Sequence, residues 1–301
     1  MNNKELPLVS IVVITYNSSK YVLETLESIK AQTYQNIELI ISDDCSIDNT
    51  FEICKEWLLI NKSRFKKAEL VTTSRNGGIA ANVNNAIKYC KGTWIKNIAG
   101  DDILFNTCID DYILFIKQNP HAQFITAKMK SYKNEFLSDN LLPSTYRNDE
   151  LNFYTLNAKE QLHYIILNEN IIPAPAVFIN RELLYKIGFY DERYFIEDFP
   201  TWIKILKTGE KCFYLNKETI GYRVCESSTH PSKSFINFRF RKGLYLIKKD
   251  LCFEYYTKKQ IIREYLAYGF CALFQNMGLN NRSNLFSKIV YNGYAWLIKH
   301  I

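Results

Sequence analysis

The feature that most constrains this chain is a rhythm in its first hundred residues. Short apolar runs alternate there with longer stretches of helical periodicity. Val9–Thr15 (VSIVVIT) is short and almost wholly apolar, and it reads as a buried strand. Between residues 20 and 32 the apolar side chains Val22, Leu23, Leu26 and Ile29 fall at the spacing of one helical face. The pattern repeats, with strands at 37–42, 70–73 and 94–99 and helices at 50–60 and 79–89. Apolar strands separated by helices imply a parallel sheet covered on both faces, an α/β fold. Such sheets bind ligands beyond the carboxyl ends of their strands. The polar residues that follow the strands are therefore expected to line one pocket. They are Tyr16-Asn17, Asp43-Asp44, Ser74-Arg75-Asn76 and Gly100-Asp101-Asp102.

Asp101 and Asp102 offer adjacent hard oxygen ligands suited to Mg²⁺ or Mn²⁺. A diphosphate held on such a cation leaves more readily, because the cation absorbs the charge that develops. Gly100 reads as a permissive turn residue that lets the chain bend sharply before them. The purely structural alternative is a cap for a helix that begins near Thr107. Asp43 and Asp44 lie too early to cap the helix at 50–60, for which Asp48 or Ser46 serves. A carboxylate there is free to accept from a base N–H or a ribose hydroxyl. In Arg75-Asn76-Gly77-Gly78 the glycines let backbone approach a ligand, and the arginine suits a phosphate or a base; an ordinary connection is the alternative. Glu197-Asp198 precedes a helix read at 199–206 with Pro200 in its first turn, so this pair also has a capping alternative. The proline-bearing segment 171–177 (IIPAPAV) reads as loop or edge strand.

In their order, the segments VSIVVITYNSSKYVLETLESIKAQTYQNIELIISDDCSIDNT, RNGGIAANVNNAIKYCKGTWI, GDDIL and IEDFPTW resemble glycosyltransferase family 2. The resemblance runs over about residues 8–228, three quarters of the chain. It implies the GT-A fold, Rossmann-like with a mostly parallel central sheet flanked by helices. It further implies an inverting transfer of a hexosyl or N-acetylhexosaminyl group from a nucleotide-diphosphate sugar, expected to be a UDP-sugar. The acceptor would be a glycan or lipid-linked saccharide in surface polysaccharide synthesis, of O-antigen or capsule type.

Carried over by position, Thr15 and Tyr16 would flank the nucleotide base, Asn17 would join the donor site and Asp44 would bind base or ribose. Arg75, Asn76 and Gly78 bind the nucleotide, and Asp101 contacts the donor and shares the metal with Asp102. Asp198 becomes the general base that takes the acceptor's proton, with Glu197 beside it. Two departures stand out. The family's D-x-D usually sits in a segment like L-D-S-D-D, whereas here Ala99 replaces the first acid of Ile98-Ala99-Gly100-Asp101-Asp102. Many relatives carry a histidine soon after a Tyr-Arg pair; here Cys225 stands in that place and His230 lies five residues on, where a surface role is the simpler reading.

Charge divides the chain. Residues 231–301 carry 12 basic and 3 acidic side chains, so the net charge of +7 arises there. This basic, aromatic and helical region is expected to be an extension of a catalytic domain at 1–230. It suits either packing on that domain or peripheral contact with an anionic membrane, but it has no nucleic-acid motif. Eight cysteines without a C-x-x-C pair, and no apolar run of about 18 residues, point to a reduced cytoplasmic protein, with the cytoplasmic face of the inner membrane as a further seat. Two rivals remain. A catalytically impaired family member acting as a glycan-binding or scaffolding subunit would explain Ala99 and Cys225. A nucleotidyltransferase would want a glycine-rich basic loop where Tyr16-Asn17-Ser18-Ser19 stands.

Overall fold

The computed structural model describes residues 6–143, 148–168, 170–225, 234–281 and 284–300. Its first half is the parallel unit expected from the periodicity. Strands β1 (Val9–Thr15), β2 (Ile37–Asp43) and β3 (Lys67–Thr72) alternate with helices α1 (Val22–Lys30), α2 (Thr50–Asn61) and α3 (Ile79–Ile87), and β4 (Trp94–Ala99) follows. β1 lies between β2 and β4, with Val9 opposite both Ile37 and Trp94. Side chains alternate across the sheet, as strand geometry requires. Ile11, Val13, Leu39 and Ile41 join Leu26, Ile29 and Trp57 from α1 and α2 in one core. Val12 and Ile40 join Val83 and Ile87 of α3 in the other.

The second half adds β5 (Ile103–Leu104), α4 (Cys108–Gln118), β6 (Phe124–Lys133), α5 (Ala158–Leu167), β7 (Val177–Asn180), α6 (Arg181–Lys186), α7 (Asp198–Lys207) and β8 (Cys212–Val224). The full sheet runs β3-β2-β1-β4-β7-β6-β8-β5. β7 is antiparallel to both β4 and β6, while β6 and β8 run parallel. This is the GT-A architecture. The proline segment is loop, the first of its two expected alternatives: Pro173 and Pro175 lie in or beside a helical turn at Ala174–Ala176, and β7 behind them is an interior strand. The prolines lie outside the ladder, so no strand hydrogen bond is lost.

Among the described residues the last α-helices are α8 (Phe238–Ile247), α9 (Lys258–Asn276) and α10 (Leu285–His300). The start of this region packs on the catalytic unit. Ile247 and Cys252 are buried in the same core as Trp202, and Tyr256 Oη donates to the Ile166 carbonyl at 2.9 Å. α9 buries only Ala267, Cys271 and Phe274. The expected boundary at 230/231 lies outside the described residues.

Candidate active site

The chain leaves β1 for β2 and β3 on one side, then returns to place β4 on the other. That reversal opens a crevice beyond the ends of β1 and β4. Gly100 N donates to the Ile14 carbonyl at 2.9 Å, which fixes the Gly100-Asp101-Asp102 turn in it. Gly100 is required for space, not for a sharp bend as expected. A Cβ there would lie 2.8 Å from Thr15 Cγ2, and Gly100 is not among the positive-φ residues.

Asp102 is buried, and its Oδ1 accepts from the Arg223 backbone N–H at 2.8 Å. Burial, reinforced by the adjacent Asp101, raises the Asp102 carboxyl to about 8. Burial raises Asp101 as well. Neither residue caps α4, whose N-cap is Thr107. Arg223, at the end of β8, organises this turn. Its Nε donates to the Asp101 carbonyl at 2.7 Å, and its other nitrogens reach the Asn134 carbonyl and Glu24 Oε2. The guanidinium lies 4.2 Å from the ring centroids of both Tyr21 and Phe136. In the sequence the only signal for Arg223 is the Tyr222-Arg223 pair.

Glu197 and Asp198 open α7. Glu197 makes no side-chain capping bond, so the capping alternative fails for it. Asp198 Oδ1 accepts from Phe199 N at 2.6 Å and Oδ2 from Asn170 Nδ2 at 3.0 Å. Burial, then the neighbouring Asp198, lifts Glu197 to about 7, and burial lifts Asp198 too. Asn170 is a second residue that the sequence left unmarked.

A cavity of about 500 Å³ has Asp101, Asp102, Glu197 and Asp198 on its walls, with Arg223 and Trp202 beside them. The two acidic pairs, nearly a hundred residues apart in sequence, thus face one space. The other expected residues form a separate cluster. Thr15 is buried and donates to Asp43 Oδ1 at 2.9 Å, and Ser46 Oγ donates to the same oxygen at 2.6 Å. Asn17, at φ 51°, is tied to the Asp43–Asp48 loop by its N–H to Ser46 Oγ and by the Ile47 N–H to its own Oδ1. Tyr16 is 47% exposed. Asp44 is buried and accepts from Gly77 N at 2.9 Å, Gly78 N at 2.8 Å and Thr73 Oγ1 at 3.0 Å. Its carboxylate shapes the loop that carries the exposed Arg75 and Asn76, and Asn76 Oδ1 also receives the Gly78 N–H. The expectation of one pocket for all strand ends is corrected, because hydrogen bonds among Asp43, Asp44 and their loops keep those side chains out of the cavity.

Among the described residues no group of three His, Cys, Asp or Glu is arranged to hold a metal. The donor set still fits Mg²⁺ or Mn²⁺. Asp101 and Asp102 are two crowded carboxylates in a cavity wall, and of their carboxylate oxygens only Asp102 Oδ1 receives a hydrogen bond from another described residue. Magnesium sites commonly take one or two carboxylates and complete their shell with substrate phosphates and water. Cys225 lies at 3.7 Å from Tyr21 Oη, and His230 lies outside the described residues.

Residues 10–188 match the model of glycosyl transferase family 2. A Bacillus subtilis protein bearing the name "Putative teichuronic acid biosynthesis glycosyltransferase TuaG" is 25% identical over 262 residues, covering 85% of this chain and 96% of that protein. The UDP-Glc:alpha-D-GlcNAc-diphosphoundecaprenol beta-1,3-glucosyltransferase WfaP of Escherichia coli is 28% identical over 269 residues, 87% of this chain and 97% of its own. The crystal structure of Staphylococcus aureus TarS 1-349 with UDP-GlcNAc superposes with a TM-score of 0.60 at 21% identity, over 81% of this chain and 66% of that one. That last likeness is one of fold.

Proposed function

The chain belongs to glycosyl transferase family 2, and from that membership we propose a metal-assisted, inverting transfer of a hexose or N-acetylhexosamine from a UDP-sugar to a saccharide acceptor of a surface polysaccharide. The observation that carries the reading is the single cavity walled by Asp101, Asp102, Glu197 and Asp198. A one-step displacement at an anomeric carbon needs a base on one side and charge stabilisation of the leaving diphosphate on the other. Asp198, oriented by Asn170 and by Phe199 N–H, takes the acceptor's proton as its oxygen bonds to the anomeric carbon. The bond from that carbon to the diphosphate breaks in the same step. Glu197, held neutral to about pH 7, keeps a second negative charge away from the base. Asp101 and Asp102 would hold Mg²⁺ or Mn²⁺, which when bound neutralises charge on the departing diphosphate. The Asp44-organised loop and Tyr16 form the nucleotide side, with Arg75 available to the phosphates.

The names of TuaG and WfaP support a polymer or lipid-linked acceptor. A peripheral membrane seat agrees with that acceptor. Among the described residues no helix is long and apolar enough to cross a membrane. Yet Ile262, Leu266, Leu273 and Met277 of α9 or its end, and Leu285, Phe286 and Ile289 of α10, are each at least half exposed. Apolar residues beside a strongly basic surface suit an anionic bilayer.

Calorimetric titration of UDP and GDP, each with Mn²⁺ and with chelator, tests the donor site. Wild type is expected to bind UDP only with the cation, and Asp102→Ala to lose that binding. If neither nucleotide binds in any condition, the alternative of an impaired family member that binds glycans takes precedence, in keeping with Ala99 and Cys225.

A further inference from the structure

We propose that Tyr190 reads the hexose of the donor, giving its phenolic proton to one hydroxyl of that sugar. This rests on the transferase reading above and adds to it a residue that sets donor specificity. Tyr190 is buried, and it stands with Asn97 on the wall of the cavity that holds the two acidic pairs. Its main chain is gripped from both sides by Asn84 of α3. Tyr190 N donates to Asn84 Oδ1 at 3.0 Å, and Asn84 Nδ2 donates to the Tyr190 carbonyl at 2.9 Å. The phenol is fixed by Asn97 of β4, whose Nδ2 donates to Tyr190 Oη at 3.0 Å. The chain enters this grip through two successive left-handed residues, Gly188 at φ 73° and Phe189 at φ 65°. That region is strained for a phenylalanine, and it persists only where the surrounding contacts impose it. Strain and three hydrogen bonds thus hold one tyrosine in one place.

The arrangement leaves two polar groups unmatched. Asn97 Oδ1 is buried and has no hydrogen-bond partner among the described residues. The Tyr190 hydroxyl accepts from Asn97, and no described residue accepts the proton it still has to give. An unmatched donor beside an unmatched buried acceptor is costly to a folded chain. A sugar hydroxyl answers both at once, since its oxygen accepts while its own proton is donated. A wall that served packing alone would be more stable with phenylalanine and leucine at these positions. The placement suits the donor. On the transferase reading the diphosphate belongs with Asp101 and Asp102 and the attacking hydroxyl with Asp198, so the anomeric carbon lies between them. The hexose on that carbon occupies the remaining space, where Asn97 and Tyr190 share the wall with Ile14, Val83 and Trp202. A few polar groups in an otherwise apolar wall fix the orientation of what binds there.

Calorimetric titration in Mn²⁺ tests the assignment, with UDP, UDP-glucose, UDP-galactose, UDP-N-acetylglucosamine and UDP-N-acetylgalactosamine as probes. The sugar nucleotide that wild type binds most tightly is then offered as its deoxy derivatives, one for each hydroxyl of the sugar. Wild type is expected to lose about fivefold or more in affinity for one derivative, because the Tyr190 proton is again left without an acceptor. Tyr190→Phe should bind the parent sugar nucleotide about fivefold or more weakly than wild type and should no longer tell that derivative from the parent. Its affinity for UDP, which carries no hexose, should stay within about twofold. Should Tyr190→Phe fail to fold, as judged by UDP binding, Asn97→Leu keeps the phenol but frees it, and should discriminate against the same derivative about threefold less than wild type. The proposal is overturned if a folded Tyr190→Phe, or Asn97→Leu in its place, ranks parent and derivatives as wild type does, since a bound water then satisfies the pair. It is overturned equally if wild type penalises every derivative alike or none. Failure of wild type to bind UDP, or to bind any of the four sugar nucleotides, counts instead against the transferase reading.

Discussion

Replacing Arg223 with methionine separates the two ways in which this residue holds the acidic turn. Its backbone N–H, which binds Asp102 Oδ1, survives the change; the side-chain bond to the Asp101 carbonyl does not. Methionine keeps much of the volume between Tyr21 and Phe136, so the loss is mainly polar. The carbonyls of Asp101 and Asn134 each lose a charged donor, together roughly 1–3 kcal/mol. The aromatic sandwich adds ~1 kcal/mol, and the ion pair with the half-exposed Glu24 adds little. The sum is ~2–4 kcal/mol, a fall of roughly 5 °C in Tm for a chain of this size. Activity is expected to suffer more than folding. Freed of Nε, the Asp101 carbonyl allows the two carboxylates to shift, and a misplacement of about 1 Å costs on the order of 100-fold in rate. Initial rates of UDP release and urea unfolding, measured on the same preparations, check both numbers. If Arg223→Met unfolds at the wild-type midpoint and keeps more than half its kcat, the assignment of Arg223 as a positioning residue is wrong.

Glu197 ionises near pH 7 in the folded chain, well above an ordinary carboxyl, because burial and Asp198 oppose its charge. The stability this confers is therefore complete below about pH 4.5 and disappears as pH rises through about 7. Glu197→Gln should gain ~1–3 kcal/mol on wild type across that interval in urea midpoints, and parallel curves would refute the account. Asp44→Ala strands the Gly77 and Gly78 N–H groups, so UDP affinity should fall about tenfold or more by calorimetry with a lowered Tm; unchanged affinity would remove Asp44 from the nucleotide side. The α10 surface should carry the protein onto phosphatidylglycerol vesicles in a salt-sensitive manner, with little binding to phosphatidylcholine. Combined Leu285→Ser, Phe286→Ser and Ile289→Ser should abolish sedimentation with the vesicles, and a wild type that stays in solution would refute the membrane seat.

The local pattern revealed those parts of the fold whose burial is local. β1 and β4 begin and end where their apolar runs do, because both are interior strands whose side chains are largely buried. β3 starts three residues earlier than its apolar pattern, at Lys67, because it is the sheet's edge and is only partly buried. β7 is four residues long behind two prolines, and β8 mixes Asn, Lys and Glu into its thirteen residues, so neither carries a clear period. The same limit applies to the site. Each acidic pair is visible as a pair, but that they share a cavity depends on pairings across the sheet. Arg223 meets the Asp101 carbonyl across 122 residues of sequence, and no window along the chain can join them. No neighbouring helix claims the Asp44 carboxylate, and the glycine loop that does claim it lies 33 residues away.

The reversal of strand direction between β4 and β7 divides the sheet mechanically. On one side of that seam, four strands in continuous parallel register support the crevice beyond β1 and β4. On the other, α5, α7 and α8 surround the space beyond Asp198. Mutations that remodel the far side need not disturb the register that holds the near side. The seam thus separates a half held by continuous strand register from a half held by helix packing, and substitutions beyond it are expected to leave the Gly100-Asp101-Asp102 turn in place.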